Sequence, residues 1–213
     1  MLEDISGEKI KEQFRSNKTV RLITLTASIL IILVLGYFLY LQFIWGPAND
    51  KSKENYWVGL NYASKDSTDL AIEELKLQAN KYDGKIGGEI SQFVYARQLM
   101  IQGSFEEALK ELNKVDISNT YIEVMAEGLR ADCMSELGNY EEAYTKYINA
   151  AKMSDNEFTS PMYLMKAGLC AEETKNFDKA TEAYKEIKNN YAAFGSQKSI
   201  EKYIARAKNK ITK

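Results

Sequence analysis

The sequence predicts an all-α protein with an N-terminal transmembrane helix, a solenoid of about four helix pairs and a C-terminal capping helix. Only 2 of its 213 residues are proline, the residue that most strongly interrupts helices. An uncharged run lies near the N-terminus, and a turn followed by alanine recurs four times beyond it. The predicted organisation is a cytoplasmic segment 1–21, a transmembrane helix 22–45, a linker 46–53 and a repeat domain 54–213.

The uncharged run from Leu22 to Trp45 is long enough to cross a bilayer. As a helix its 24 residues would span about 36 Å, against about 30 Å of hydrocarbon. Its C-terminal end is rich in aromatic residues, which favour the membrane–water boundary. A cleaved signal peptide is the alternative, but its apolar region is typically about 7–15 residues and ends at a small-residue site. This run is longer and ends in FIWGP, so we interpret it as an uncleaved anchor.

The basic residues flanking the run predict its orientation. Five precede it within fifteen residues, whereas only Lys51 and Lys53 follow within the same distance. The five are Lys9, Lys11, Arg15, Lys18 and Arg21. By the positive-inside bias, the N-terminus is cytoplasmic and residues from 46 onward lie across the membrane. In a Gram-negative bacterium this places a single-pass protein in the inner membrane, with its large domain in the periplasm.

Four segments of the large domain align on a polar turn followed by an alanine. The alanines are Ala71, Ala108, Ala143 and Ala180. A small residue stands twelve positions before each alanine: Gly59, Ala96, Ala131 and Gly168. A large one stands four positions after: Leu75, Leu112, Tyr147 and Tyr184. Residues four apart share a helix face, so each motif predicts two closely packed helices.

The predicted helices follow from this alignment. They lie near 54–64 and 68–81, 89–101 and 105–115, 120–137 and 141–153, and 161–174 and 178–190. Residues 82–88 contain three glycines, but a phosphate-binding loop would need a Lys-Ser/Thr ending and a preceding strand; we expect a flexible turn. A last basic helix near 197–211 is expected to cap the solenoid, with contact to an acidic partner or anionic lipid as the alternative.

The composition argues against catalysis. The chain contains no histidine, which is the commonest general base near neutral pH and a frequent metal ligand. Cys133 and Cys170 occupy equivalent repeat positions, which should lie about 8–10 Å apart, too far for a disulfide; we expect buried free thiols. The net charge of -2 gives no reason to expect nucleic-acid binding. We expect no enzymatic activity, cofactor, metal or small-molecule substrate.

The four-copy pattern resembles the tetratricopeptide repeat (TPR), whose period is 34 residues. The resemblance implies a concave groove lined chiefly by the first helix of each pair. The groove-facing TPR positions carry over to Tyr56, Leu60, Phe93, Arg97, Met100, Asp132, Met162, Met165 and Leu169, with Met125 near the rim. Apolar, Met-containing surfaces suit adaptable binding of extended polypeptides. The alternative for each of these residues is a place in the core.

The whole architecture is similar to the YfgM family. The segment ANKYDG at 79–84, running into 96–98 and on to 105–108, is similar to that family's central region. The resemblance implies an inner-membrane, periplasm-facing TPR protein that binds Sec translocon subunits, a periplasmic chaperone or a secretory polypeptide. Two alternatives stay open: a scaffold for envelope assembly or cell division unrelated to Sec, and an organellar import receptor whose TPR domain faces the cytosol.

Overall fold

The computed structural model describes residues 7–117 and 120–211, and within these ranges it contains helices and no strand. The all-α prediction is confirmed. The outer ends of the predicted segments 1–21 and 54–213 lie outside the described residues. The chain divides into two compact units, Met1–Asp50 and Lys51–Lys213.

The first unit contains the predicted transmembrane segment. Helix α1 is Gly7–Ser16 and α2 is Lys18–Tyr40. Asn17 caps α2, because its side-chain oxygen accepts a hydrogen bond of 2.9 Å from the backbone N–H of Thr19. None of the side chains of α2 is buried. By length and composition, the helix that begins at Lys18 can cross a membrane, as the sequence predicts.

A π-helical turn, Leu41–Trp45, follows α2 and leads into α3, Gly46–Asn55. Within this turn the N–H of Gly46 donates to the carbonyl of Leu41, five residues earlier. Pro47 explains the wider turn, since a proline clashes with the carbonyl four residues before it, and a π-turn relieves such a clash. The predicted linker at 46–53 is therefore helical.

Ten further helices follow within the described part of the chain. They are α4 (Trp57–Ser64), α5 (Thr68–Lys81), α6 (Ile86–Ile101), α7 (Phe105–Leu112), α8 (Thr120–Glu136), α9 (Tyr140–Met153), α10 (Thr159–Glu173), α11 (Phe177–Asn190), α12 (Ala192–Lys198) and α13 (Ile200–Ile211). From α4 to α11 each packs mainly against the helices before and after it in the sequence. The second unit is thus built from contacts that are local along the chain.

Two details of the predicted helices change. Gly87 and Gly88 are not in a flexible turn but in the first turn of α6, where both are buried. A Cβ at Gly87 would overlap the backbone of Ser52, and one at Gly88 would overlap the carbonyl of Tyr82. These glycines therefore allow close packing. The predicted helix 197–211 is divided at Ser199, which has a positive φ of 52°.

The four predicted turns have one backbone conformation. In each, the residue five positions before the alanine has a positive φ: Asp66 (55°), Gly103 (78°), Gly138 (80°) and Lys175 (59°). The next residue's N–H donates to the carbonyl five positions earlier, as from Ser104 to Leu99 at 2.9 Å and from Asn176 to Ala171 at 2.8 Å. This is the Schellman end of a helix, repeated four times.

The alanine after each turn is fully buried: Ala71, Ala108, Ala143 and Ala180 are each 0% exposed. The small and large residues around it pack as the spacing predicts. A Cβ at Gly59 would meet the side chain of Leu75, and one at Gly168 would meet the ring of Tyr184. Close approach in the first and last of the four pairs therefore depends on a small residue facing a large one.

Two clusters of buried side chains form the core of the second unit, and both include residues of α8. Ala126 and Cys133 belong to one cluster, whereas Val124 and Ala131 belong to the other. Residues seven apart share a helix face, so α8 is buried on two faces. Asp132 lies between them and is half-buried. Helix α13 covers the last pair through Ile200, Ile204 and Ala207, which are buried.

The positive φ angles at the turns predict opposite effects of two substitutions. Lys175→Gly is expected to raise the free energy of unfolding by about 0.5–1 kcal/mol, because glycine avoids the left-handed strain of a side chain at a modest entropic cost. Gly138→Ala should lower it by about 1–2 kcal/mol. Urea denaturation of the full chain in detergent, followed by near-UV circular dichroism, measures both. A destabilised Lys175→Gly variant would contradict this account of the turns.

Candidate functional site

A cavity of about 600 Å³ opens among helices α6 to α10 of the second unit, and we call it the α8 cavity. Its lining combines apolar, aromatic and charged side chains. They are Met100, Ile101, Phe105, Asp132, Ser135, Glu136, Tyr140, Tyr147, Lys166, Leu169, Cys170 and Glu173. Clefts of this size with a mixed lining are the usual form of a binding site.

Three side chains from three helices meet at the polar centre of the α8 cavity. The Lys166 ammonium on α10 lies 2.6 Å from the Asp132 carboxylate on α8. The Tyr147 hydroxyl on α9 also donates to Asp132. Lys166 lies 5.6 Å from the centre of the Tyr147 ring, within cation–π range. The negative charge of Asp132 is therefore balanced within the protein by the positive charge of Lys166.

Burial sets the protonation of the neighbouring tyrosines. The hydroxyl of Tyr147 has its pKa raised well above the ordinary value, first by burial and then by the Asp132 carboxylate. The same two causes raise the pKa of Tyr163, whose ring stacks on that of Tyr147 with centres 6.3 Å apart, to about 12. Both hydroxyls therefore stay protonated, and able to donate hydrogen bonds, at a higher pH than an exposed tyrosine.

Cys133 and Cys170 are free and buried, as the sequence predicts. Burial, followed by the charge of Asp132, raises the pKa of the Cys133 thiol to about 11. Burial also raises the pKa of Cys170, whose thiol donates to the Ser135 hydroxyl at 3.7 Å. Because the thiolate is the reactive form of cysteine, neither residue is an activated nucleophile at neutral pH.

Two carboxylates in the lining are exposed. Glu136 lies at the end of α8 and Glu173 at the end of α10. No ion pair among residues 7–117 and 120–211 engages either of them. Apolar side chains occupy other parts of the lining, and Ile101 and Leu169 are 67% and 41% exposed. The surface offered to a ligand is therefore apolar and acidic.

The structure brings together three of the ten predicted site residues: Met100, Asp132 and Leu169 line the α8 cavity. Phe93 is only 6% exposed and packs in the core, which is the alternative that the sequence leaves open for it. Arg97 is exposed, and its guanidinium lies 6.0 Å from the centre of the Phe93 ring.

The other predicted residues lie outside this lining. Tyr56 and Leu60 are half-buried on the first helix pair, and Tyr56 stacks on the neighbouring Trp57 at 4.9 Å. Met162 and Met165 are half-buried against the core cluster of the last pairs. Met125 is 39% exposed. The methionines at 162 and 165 thus contribute mainly to packing.

Sequence reasoning missed most of the lining, although a signal existed. The position seven residues before each repeat alanine carries Ile101, Glu136 and Glu173 in the last three copies, and all three line the cavity. This position belongs to the last turn of each first helix. Phe105 and Tyr140, which stand three positions before the alanines of their copies, also line the cavity. Within the described ranges, no group of cysteine and acidic side chains is arranged to hold a metal ion.

The raised pKa values predict a loss of stability at alkaline pH. A group whose pKa is raised by folding contributes stability that is complete below its unfolded pKa and is lost as the pH rises through its folded pKa. For Cys133 and Tyr163 this loss begins near their ordinary values of 9.0 and 10.0. Tyr163→Phe should therefore lose less free energy of unfolding between pH 10 and 12 than the unmodified chain.

Urea denaturation at several pH values measures this difference. A matched control is Tyr121→Phe, because Tyr121 is 78% exposed. This variant should show the same pH dependence of the free energy of unfolding as the unmodified chain. Parallel pH dependence of the unmodified chain and Tyr163→Phe would contradict the assignment of Tyr163 as a buried titrating group.

No protein-family model matches this chain, and neither does any curated protein.

Proposed function

We propose that this chain is a membrane-anchored, non-enzymatic scaffold of TPR-like helix pairs whose α8 cavity binds an extended segment of a partner protein. The observation that carries the proposal is that residues at one equivalent repeat position line the same cavity. Ile101, Glu136 and Glu173 occupy the same repeat position and all contribute to its lining. A surface built from equivalent positions of successive pairs is suited to a linear ligand that crosses several repeats.

The turn geometry supports the TPR-like part of the proposal. Four turns with the same left-handed residue, each followed by a fully buried alanine, are what repetition of one helix-pair unit requires. The chiefly sequential packing of the helices is also typical of a solenoid. The basic helix α13 covers the last pair, which is the part of a capping helix.

The chemistry of the cavity favours binding over catalysis. Lys166 is paired with Asp132, and the pKa of the Cys170 thiol is raised, so the nucleophiles in the lining are not activated. A ligand that buries exposed apolar side chains such as Ile101 and Leu169 instead gains binding free energy, because apolar surface is removed from water.

The apolar N-terminal helix supports the proposed location in a membrane. The apolar helix that begins at Lys18 and the five basic residues that precede Leu22 are consistent with an inner-membrane protein whose TPR-like domain faces the periplasm. The resemblance to the YfgM family suggests the partner class: translocon subunits, a periplasmic chaperone or an emerging secretory polypeptide. The scaffold would then hold such a partner beside the membrane.

Co-purification with a matched pair of variants tests this proposal. The full chain is tagged, expressed in its host and extracted in mild detergent, as unmodified chain, as Leu169→Asp and as Met153→Asp. The two substituted side chains are 41% and 40% exposed, but only Leu169 lines the α8 cavity. We expect translocon or chaperone subunits with the unmodified chain and Met153→Asp, and at least fivefold less with Leu169→Asp.

Other outcomes separate the alternatives. Recovery of outer-membrane assembly or peptidoglycan factors would favour an envelope scaffold unrelated to Sec. Recovery of cytosolic proteins alone would contradict the periplasmic orientation. Equal recovery by Leu169→Asp and Met153→Asp would contradict binding in the α8 cavity.

A further inference from the structure

We infer that the ligand of the α8 cavity is a cationic–apolar segment, in which an apolar side chain precedes or follows two basic ones at intervals of about three residues. This inference rests on the proposed function, since it assumes that the cavity holds a polypeptide. Beyond that function, it specifies the class of polypeptide that the cavity binds.

The charges in the lining give the first step. The lining contains three carboxylates, on Asp132, Glu136 and Glu173, and one cation, on Lys166. Asp132 and Lys166 pair with each other at 2.6 Å, and the Tyr147 hydroxyl also bonds to this carboxylate. The remaining charge of the lining is that of Glu136 and Glu173, so it is negative.

The exposure of these two carboxylates gives the second step. Glu136 and Glu173 are both exposed, and no ion pair within residues 7–117 and 120–211 neutralises them. A lysine or arginine side chain of a ligand can therefore approach them without displacing a cation of the protein. An acidic ligand would be repelled, because the only cation in the lining is already paired.

The order of the equivalent positions gives the third step. Along the series of first helices, the position seven before the repeat alanine is apolar in α6, at Ile101, and acidic in α8 and α10. Met100 and Phe105 enlarge the apolar end of the cavity. A ligand that follows the series therefore meets an apolar surface first and then two carboxylates.

Helix spacing converts this order into a ligand spacing. The first helices of successive pairs touch, α6 against α8 and α8 against α10 through Asp132 and Lys166. Helices in contact lie about 8–10 Å apart, and an extended chain advances about 3.3 Å per residue. About three ligand residues therefore separate successive positions. The complementary segment is one large apolar residue, two spacer residues, a basic residue, two more spacers and a second basic residue, read in one of the two chain directions.

Peptide binding to the full chain in neutral detergent tests the inference. Fluorescein-labelled peptides share a Gly/Ser background and one Phe, and carry two Arg, two Ser or two Glu at the third and sixth residues from the Phe, in both directions. Exposed charge pairs each contribute modestly, so we expect the Kd of the better Arg peptide to be about tenfold below that of its Glu counterpart. The Ser peptide should be intermediate, and added salt should reduce the difference.

Two double variants show whether the preference comes from the cavity. Glu136→Gln with Glu173→Gln should reduce the Arg-to-Glu preference to less than about threefold. The control double variant, Glu141→Gln with Glu142→Gln, removes the same charge from α9 outside the cavity lining. It should leave the Arg-to-Glu preference unchanged. Because all four side chains are exposed, folding is expected to survive in both, which circular dichroism verifies.

The outcomes separate this inference from the proposed function. Equal binding of the Arg and Glu peptides would overturn the charge preference while supporting a peptide-binding cavity. Equal loss of preference in both double variants would overturn the role of Glu136 and Glu173. If no peptide binds, the ligand class is overturned, and the co-purification with Leu169→Asp still decides the proposed function.

Discussion

The close approach of two helices within each pair is the constraint on which the rest of the domain depends. It needs a small residue opposite a large one, as where a Cβ at Gly168 would overlap the Tyr184 ring. Because protein cores are close-packed, this contact fixes how the first helix lies against the second. Because α8 is also buried in both core clusters, successive pairs pack against each other, and Ile101, Glu136 and Glu173 line one cavity.

The polar centre of the cavity follows from the same packing. Tyr147 is the large residue of its own pair, and its ring is 3% exposed while its hydroxyl reaches Asp132. Lys166 comes from the next pair and bonds to the same carboxylate. A partly buried charge is stable only when it is paired and hydrogen-bonded, and here the partners of Asp132 come from two other helices. Lys166 is therefore already paired with Asp132, whereas Glu136 and Glu173 at the helix ends can contact a ligand.

The sequence predicts the fold better than the site, and the residues show why. The repeat alanines and the small residues twelve positions before them have a fixed steric role, so their spacing alone locates the helix pairs. The sequence predicts a flexible turn at Gly87 and Gly88 because glycine occurs both in flexible turns and in close packing, and only the contacts with Ser52 and Tyr82 distinguish the two. Phe93 was assigned to the groove by analogy of position, but apolar residues at that position fill either a groove or a core. The pairing of Lys166 with Asp132, 34 residues earlier, depends on the geometry between pairs, which periodicity does not give.

Site-specific photo-crosslinking in living cells tests most directly whether the α8 cavity holds a partner. A photoreactive residue is placed at Ile101, which lines the cavity and is 67% exposed, or at Leu77, which is 57% exposed and lies outside the lining. A crosslinked protein at Ile101, absent at Leu77, is the result that this account predicts. Crosslinks from Leu77 alone, or the same products from both positions, would contradict binding in the cavity.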